Sequence, residues 1–106
     1  MPPSSFNPDL LRQAQSVQKN LVRLREQLKD RVVEADAGGG LVTAYTNGNG
    51  ELVKVSIKPE IVDPDDIAML EDLIVAAVQK SHEAANELQQ AEMAKVTGGL
   101  SLPGLF

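Results

Sequence analysis

Cysteine and tryptophan are missing from this chain, and Phe6, Tyr45 and Phe106 are its only aromatic residues. Without cysteine there are no disulfides, no thiolate nucleophiles and no cysteine-ligated metals. A reducing compartment is compatible with that composition. With so few aromatics, the core has to be filled by Leu, Val, Ile, Ala and Met. An alanine-lined helix gains little from burial, which is worth roughly 25 cal/mol per Å2 of apolar surface, and a partner surface would relieve the shortage. No stretch approaches the roughly 20 apolar residues that span a bilayer. Met1 to Ser5 has neither the basic segment nor the apolar run of a secretory signal. These absences predict a soluble protein that stays inside the cell and has no membrane partner.

What is present fits one domain over residues 1–106. The net charge is −5, which argues at first against nucleic acid, but the distribution of charge matters more than its sum. Arg12, Lys19, Arg23, Arg25, Lys29 and Arg31 outweigh the acids of the first third, whereas most of the Asp and Glu lie after Pro59.

Asn7-Pro8-Asp9 reads as a helix start: an oxygen for the orphan backbone N–H groups, a proline suited to the first turn, and an acid facing the positive end of the dipole. Leu10, Ala14, Val17, Leu21, Leu24 and Leu28 then recur at alternating spacings of four and three, a heptad seam that predicts a helix over 8–30. The sheet is expected over 31–58. Val32-Val33 opens a short, weak strand that runs into Gly38-Gly39-Gly40, a flexible connection. Residues 41–46 and 51–58 form a hairpin around Asn47-Gly48-Asn49-Gly50, where Asn-Gly supplies the positive φ values of a two-residue turn. In the last strand Val53, Val55 and Ile57 share a face expected to be buried, with Lys54, Ser56 and Lys58 on the wet side. Asp63-Pro64-Asp65-Asp66 marks a second helix over 63–96, whose first half should pack on the sheet and whose alanine-rich second half should project. Flexible ends are expected at 1–6 and 97–106. The fold class is therefore α+β, with two long amphipathic helices through which the chain is expected to form a homodimer.

Catalytic constellations are hard to find. His82 is the single histidine, and as a general base it would need an orienting partner and a nucleophile within reach; a helix-surface histidine accounts for it. Asp63, Asp65 and Asp66 lack calcium-loop spacing and are accounted for by helix capping. Gly38-Gly39-Gly40 is followed by neither Lys-Ser/Thr nor a helix, so it does not cradle a phosphate. No enzyme activity, cofactor, metal or small-molecule substrate is expected. The first helix is more informative. With the seam at heptad positions a and d, Arg12, Lys19, Arg23 and Lys29 share the side away from it. Two readings stand: a solvated helix face, or a stripe of phosphate contacts duplicated by dimer symmetry.

The order of parts is itself a motif. Gly-Gly-Gly-Leu-Val-Thr, Asn-Gly-Asn-Gly and Val-Lys-Val-Ser-Ile-Lys-Pro-Glu-Ile-Val-Asp follow the heptad helix; Met-Leu-Glu-Asp-Leu-Ile-Val-Ala-Ala-Val and a closing Gly-Gly-Leu-Ser-Leu-Pro-Gly-Leu-Phe come after. This resembles the YbaB/EbfC family of bacterial nucleoid-associated proteins over nearly the whole chain, most specifically around 53–63, 69–78 and 98–106. The resemblance implies a helix, a three-stranded antiparallel sheet and a helix (α-β-β-β-α), paired into a dimeric, tweezer-like body with projecting arms. It further implies binding of double-stranded DNA with little sequence preference, in the cytoplasm at the nucleoid, with a role in nucleoid organisation and gene regulation. No compact DNA-reading motif transfers residue by residue, so the DNA-binding assignment to Arg12, Lys19, Arg23 and Lys29 rests on the heptad geometry. The acidic second helix, where Lys80 and Lys95 are the only bases, argues against tight, salt-resistant binding. The alternative is a protein-binding or chaperone-like helical clamp, favoured by the acidic balance, the alanine-rich helix and the apolar residues 100–106.

Overall fold

The structure, a computed structural model, describes residues 8–97. The end segments expected to be flexible, and the Asn7 cap, lie outside that span, apart from Thr97, which closes the second helix. In chain order the elements are helix α1 (Pro8–Lys29), strands β1 (Val32–Ala37), β2 (Val42–Asn47) and β3 (Leu52–Ile57), a 3-10 turn (Pro59–Ile61), and helix α2 (Ile67–Thr97). The strands form one antiparallel sheet in the order β1-β2-β3. The α-β-β-β-α fold is thus present, with β1 a full six-residue strand where the sequence shows only a weak signal.

Asp66 explains where α2 begins. Its Oδ1 accepts from the N–H of Met69 at 3.3 Å, and Asp63 Oδ1 accepts from the N–H of Asp65 at 2.9 Å. Asp63 to Asp66 are therefore a turn that caps the helix, and the helix starts at Ile67 rather than at residue 63. From there α2 lies across β1 and β2. Ala37, Val42, Ala44 and Ala77 form the buried core, flanked by Val55, Leu70, Leu73, Ile74 and Val78. Small, fully buried side chains at Ala44 and Ala77 let helix and sheet pack together in a core without aromatics. Within this contact the Thr46 hydroxyl meets the Ser81 hydroxyl at 2.7 Å, and Ser81 Oγ also donates to the Val78 carbonyl at 2.9 Å.

The β2–β3 connection differs from the expected two-residue turn. Within it only Gly50 takes a left-handed φ, of 87°. Asn47 Oδ1 accepts from the N–H groups of Asn49 and Glu51, each at 3.0 Å, and the Gly50 N–H donates to the Asn47 carbonyl at 2.9 Å. This is a longer loop whose positive φ falls at Gly50 and not at Gly48, and β3 carries an irregularity opposite Tyr45/Thr46. Gly48 is required for a different reason. Its N–H donates to the Leu28 and Arg31 carbonyls at 2.9 and 2.8 Å, so the loop satisfies the last turn of α1. A Cβ there would lie 2.7 Å from Leu28 Cδ2. Gly38, Gly39 and Gly40 take φ of 65°, 68° and 91°, so the expected flexible connection is a turn in a left-handed conformation that suits glycine.

Anchored by that loop, α1 returns antiparallel along the second half of α2. Leu24 and Leu28 are buried, and Val17 and Leu21 half-buried. The later part of α2 thus does extend beyond the sheet, but with α1 beside it, not alone. The seam expected to serve a dimer is used in its C-terminal half within the same chain, because α2 offers a complementary stripe. Leu10, Leu11 and Ala14 stay exposed. The second difference concerns β3. Val42 pairs with Ile57 and Ala44 with Val55, so these residues share the sheet face that α2 covers. Yet α2 barely reaches β3, and Leu52, Val53 and Ile57 are 44%, 52% and 36% exposed. Of the face expected to be buried, Val55 packs against the core, and Val53 and Ile57 stay exposed in the single chain. The body measures 74 × 24 × 21 Å.

Candidate nucleic-acid interface

The arm formed by α1 and the distal half of α2 carries the expected basic residues. Arg12, Lys19, Arg23 and Lys29 are all exposed on α1. At about 1.5 Å per residue, Arg12, Lys19 and Arg23 lie along some 16 Å of the helix, on the side away from Leu24 and Leu28. Lys29 stands roughly 100° around the axis from Arg12 and ends the helix, where a cation offsets the negative pole of the dipole. The four residues therefore make a line of three and one outlier. Arg12 Nη2 lies 3.6 Å from Asp9 Oδ1, a pair that is three-quarters exposed on both sides.

Arg23 has a second environment that the heptad positions do not disclose. It lines a groove between the helices, together with Asn20 and Gln27 of α1 and Glu92 and Lys95 of α2, over Leu24 and Val96. In the same region Glu92 Oε1 lies 3.2 Å from Lys95 Nζ and 3.6 Å from Arg31 Nη1. Arg31, which follows α1, and Lys95, near the end of α2, are thus brought to one carboxylate although 64 positions separate them in the chain. Nothing in the local sequence pairs them; only the antiparallel packing of α1 on α2 does. Lys80, the other base of α2, is committed elsewhere, its Nζ donating to the Asp36 carbonyl at 3.4 Å.

The sheet face opposite α2 is mixed in charge. Glu34, Tyr45 and Lys54 stand in one row across the three strands, with Lys54 Nζ 5.3 Å from the Tyr45 ring centre. Partial burial, followed by the Glu34 charge and a hydrogen bond to Glu34, holds the Tyr45 phenol above its ordinary value. His82 is exposed in a shallow depression near Gly50 and Asn86. Among the described residues no group of three or more His, Cys, Asp or Glu is placed to hold a metal ion, and no helix is long and apolar enough to cross a membrane.

Fold and arm together define a class: small α-β-β-β-α proteins with an antiparallel two-helix arm rimmed by cations. Within that class the chain belongs to the YbaB/EbfC DNA-binding family, whose model matches residues 6–100. It is similar to a nucleoid-associated protein of Thermoanaerobacter pseudethanolicus, with 48% identity over 98% of this chain and 95% of the relative. A nucleoid-associated protein of Acetivibrio thermocellus is 50% identical over 92% of this chain and 88% of its own length. The fold also matches the crystal structure of an uncharacterized protein from Helicobacter pylori, with a TM-score of 0.76 and 23% identity, covering 88% of this chain and 99% of that one.

Proposed function

We propose that this protein is a homodimeric, nucleoid-associated DNA-binding protein that grips the duplex by its phosphates, with little sequence preference and without a catalytic step. The observation that carries this reading is the exposed line Arg12, Lys19, Arg23 on the outer side of α1, in a chain that belongs to a DNA-binding family. Lys29, at the end of the same helix, adds a contact off that line. The relatives named as nucleoid-associated proteins support the cellular setting, the bacterial nucleoid; a role in its organisation and in gene regulation is part of the same proposal. The second copy belongs on the exposed apolar side chains of β3. Burying Leu52, Val53 and Ile57 would supply the apolar area that a core without tryptophan lacks. Pairing the copies there leaves both arms free and doubles the cationic line, a geometry suited to straddling a duplex.

Phosphate binding of this kind releases counterions, so the logarithm of affinity falls by about 0.9 per contacted phosphate for each decade of salt. A dimer that uses Arg12, Lys19 and Arg23 of both protomers has an expected slope near −5. The test is fluorescence anisotropy of a labelled random-sequence duplex, titrated with the wild-type chain and with R12E/K19E/R23E from 50 to 200 mM salt. The wild type is expected to bind with a steep slope; the triple variant is expected to lose binding while its circular dichroism is unchanged. Wild-type affinity in the variant overturns the residue assignment. No binding by the wild type at 50 mM salt overturns the DNA reading and favours a helical clamp for polypeptides, for which exposed Leu10 and Leu11 at the arm tip are the supporting feature.

A further inference from the structure

The groove between the helices contains a carboxylate where a ligand anion would sit. Glu92 Oε1 receives Lys95 Nζ at 3.2 Å and faces Arg31 Nη1 at 3.6 Å, and Arg23 lines the same groove. Ammonium and guanidinium groups approach a carboxylate oxygen and a phosphate oxygen by the same charge-assisted geometry. The Glu92 side chain is 20% exposed, whereas those of Arg31 and Lys95 are 54% and 73% exposed. An approaching strand therefore meets the cations before it meets the acid. Arg31, Lys95 and Arg23 against one Glu92 leave the cluster with surplus positive charge. Exposed ion pairs of this type are weak and screened by salt, so a phosphodiester can displace the carboxylate.

We propose that Arg31, Lys95 and Arg23 form a further phosphate-holding site on the arm, and that Glu92 is its built-in competitor. The inference rests on the DNA-binding reading and deepens it. Arg23 belongs both to the α1 line and to the groove, so the path for a DNA strand turns from the outer side of α1 towards the end of α2. There Lys95, on an otherwise acidic helix, becomes a DNA contact. Glu92 holds the affinity below what the cations alone would give, which keeps the protein exchangeable on the chromosome.

The experiment repeats the anisotropy titration on the full chain with E92Q, which keeps the side chain's length and removes its charge. Expected are roughly tenfold tighter binding at 50 mM salt and a salt slope steeper by up to about 4, as Arg31 and Lys95 of both protomers become free for phosphate. The same substitution in an R31Q/K95Q background should bring no gain. E87Q removes an equal charge from an exposed position on the same helix and should give at most a small gain. Unchanged or weaker binding by E92Q overturns the proposal, as does an equal gain from E87Q or a gain that survives in the R31Q/K95Q background. Circular dichroism accompanies each variant, and E92A, which substitutes the best helix former, repeats the test should E92Q lose helix. If the wild type binds and E92Q binds no better, this inference alone fails. If the wild type does not bind at 50 mM salt, the DNA reading fails with it.

Discussion

Thr46 and Ser81 are polar residues in the middle of an apolar contact, and each satisfies the other. The pair is fully buried, and its 2.7 Å hydrogen bond joins strand β2 to helix α2 at one point. Apolar packing tolerates small slides, whereas a hydroxyl stranded a few ångströms from its partner is penalised, so the bond sets the position of the helix on the sheet. Ser81→Ala removes one partner and leaves the Thr46 hydroxyl buried; an expected loss of about 1–3 kcal/mol is measurable by urea denaturation. Thr46→Val combined with Ser81→Ala removes both hydroxyls and should recover much of that loss. Gly48 shows how differently a single residue can be used from what its local pattern announces. Beside Asn47 it looks like the left-handed half of a tight turn. In the folded chain it is the flat spot on which Leu28 rests and the donor that closes the end of α1.

Among the elements, the helices were the most legible. The seam from Leu10 to Leu28 locates α1 to within one residue of its end, because the interval between apolar residues is a direct consequence of 3.6 residues per turn. The start of α2 was less so: four residues with helix-favouring chemistry precede it, and only the geometry shows Asp66 as the cap and its predecessors as a turn. Asp66→Ala removes that cap from the exposed N-terminus. A cost of about 1 kcal/mol is expected, visible as a lower thermal midpoint with the proposed DNA-contacting residues of the arm untouched. The strands were partly legible. Alternation along β3 correctly sorts Val55 and Ile57 from Lys54 and Ser56, but alternation reports which face is apolar and not what covers it. In this chain α2 covers β1 and β2 and stops short of β3.

For the molecule as a whole, the apolar side chains left exposed among the described residues include Leu52, Val53 and Ile57 on β3, and Leu10 and Leu11 near the far end of the arm. Val62 and Ile67, on the segment leading from β3 into α2, are exposed as well. Apolar side chains exposed together on one strand mark a contact surface, and β3 is the sheet-edge strand that α2 leaves largely uncovered. Ile57→Lys with Val53→Lys puts two charges into the proposed contact. By light scattering the wild type is expected at twice the mass of the chain, and the variant at the monomer mass in the micromolar range. DNA affinity should fall steeply with it, since halving the contacted phosphates halves the salt slope. A wild type that scatters as a monomer removes the β3 interface, and a variant that remains dimeric moves the interface to the arm.

Composition and periodicity were enough to establish an α+β chain with two long helices, a hairpin between them and a basic side on α1. Each of these follows from interactions between residues close in sequence, where the helical and strand repeats act directly. The partner of each apolar face depended on how the elements come together: half of the α1 seam is taken up by α2, and most of β3 is left uncovered. The convergence of Arg31 and Lys95 on Glu92 has the same origin. Charges 64 positions apart meet only after α1 has folded back along α2, and no local repeat carries information about a contact made across that distance.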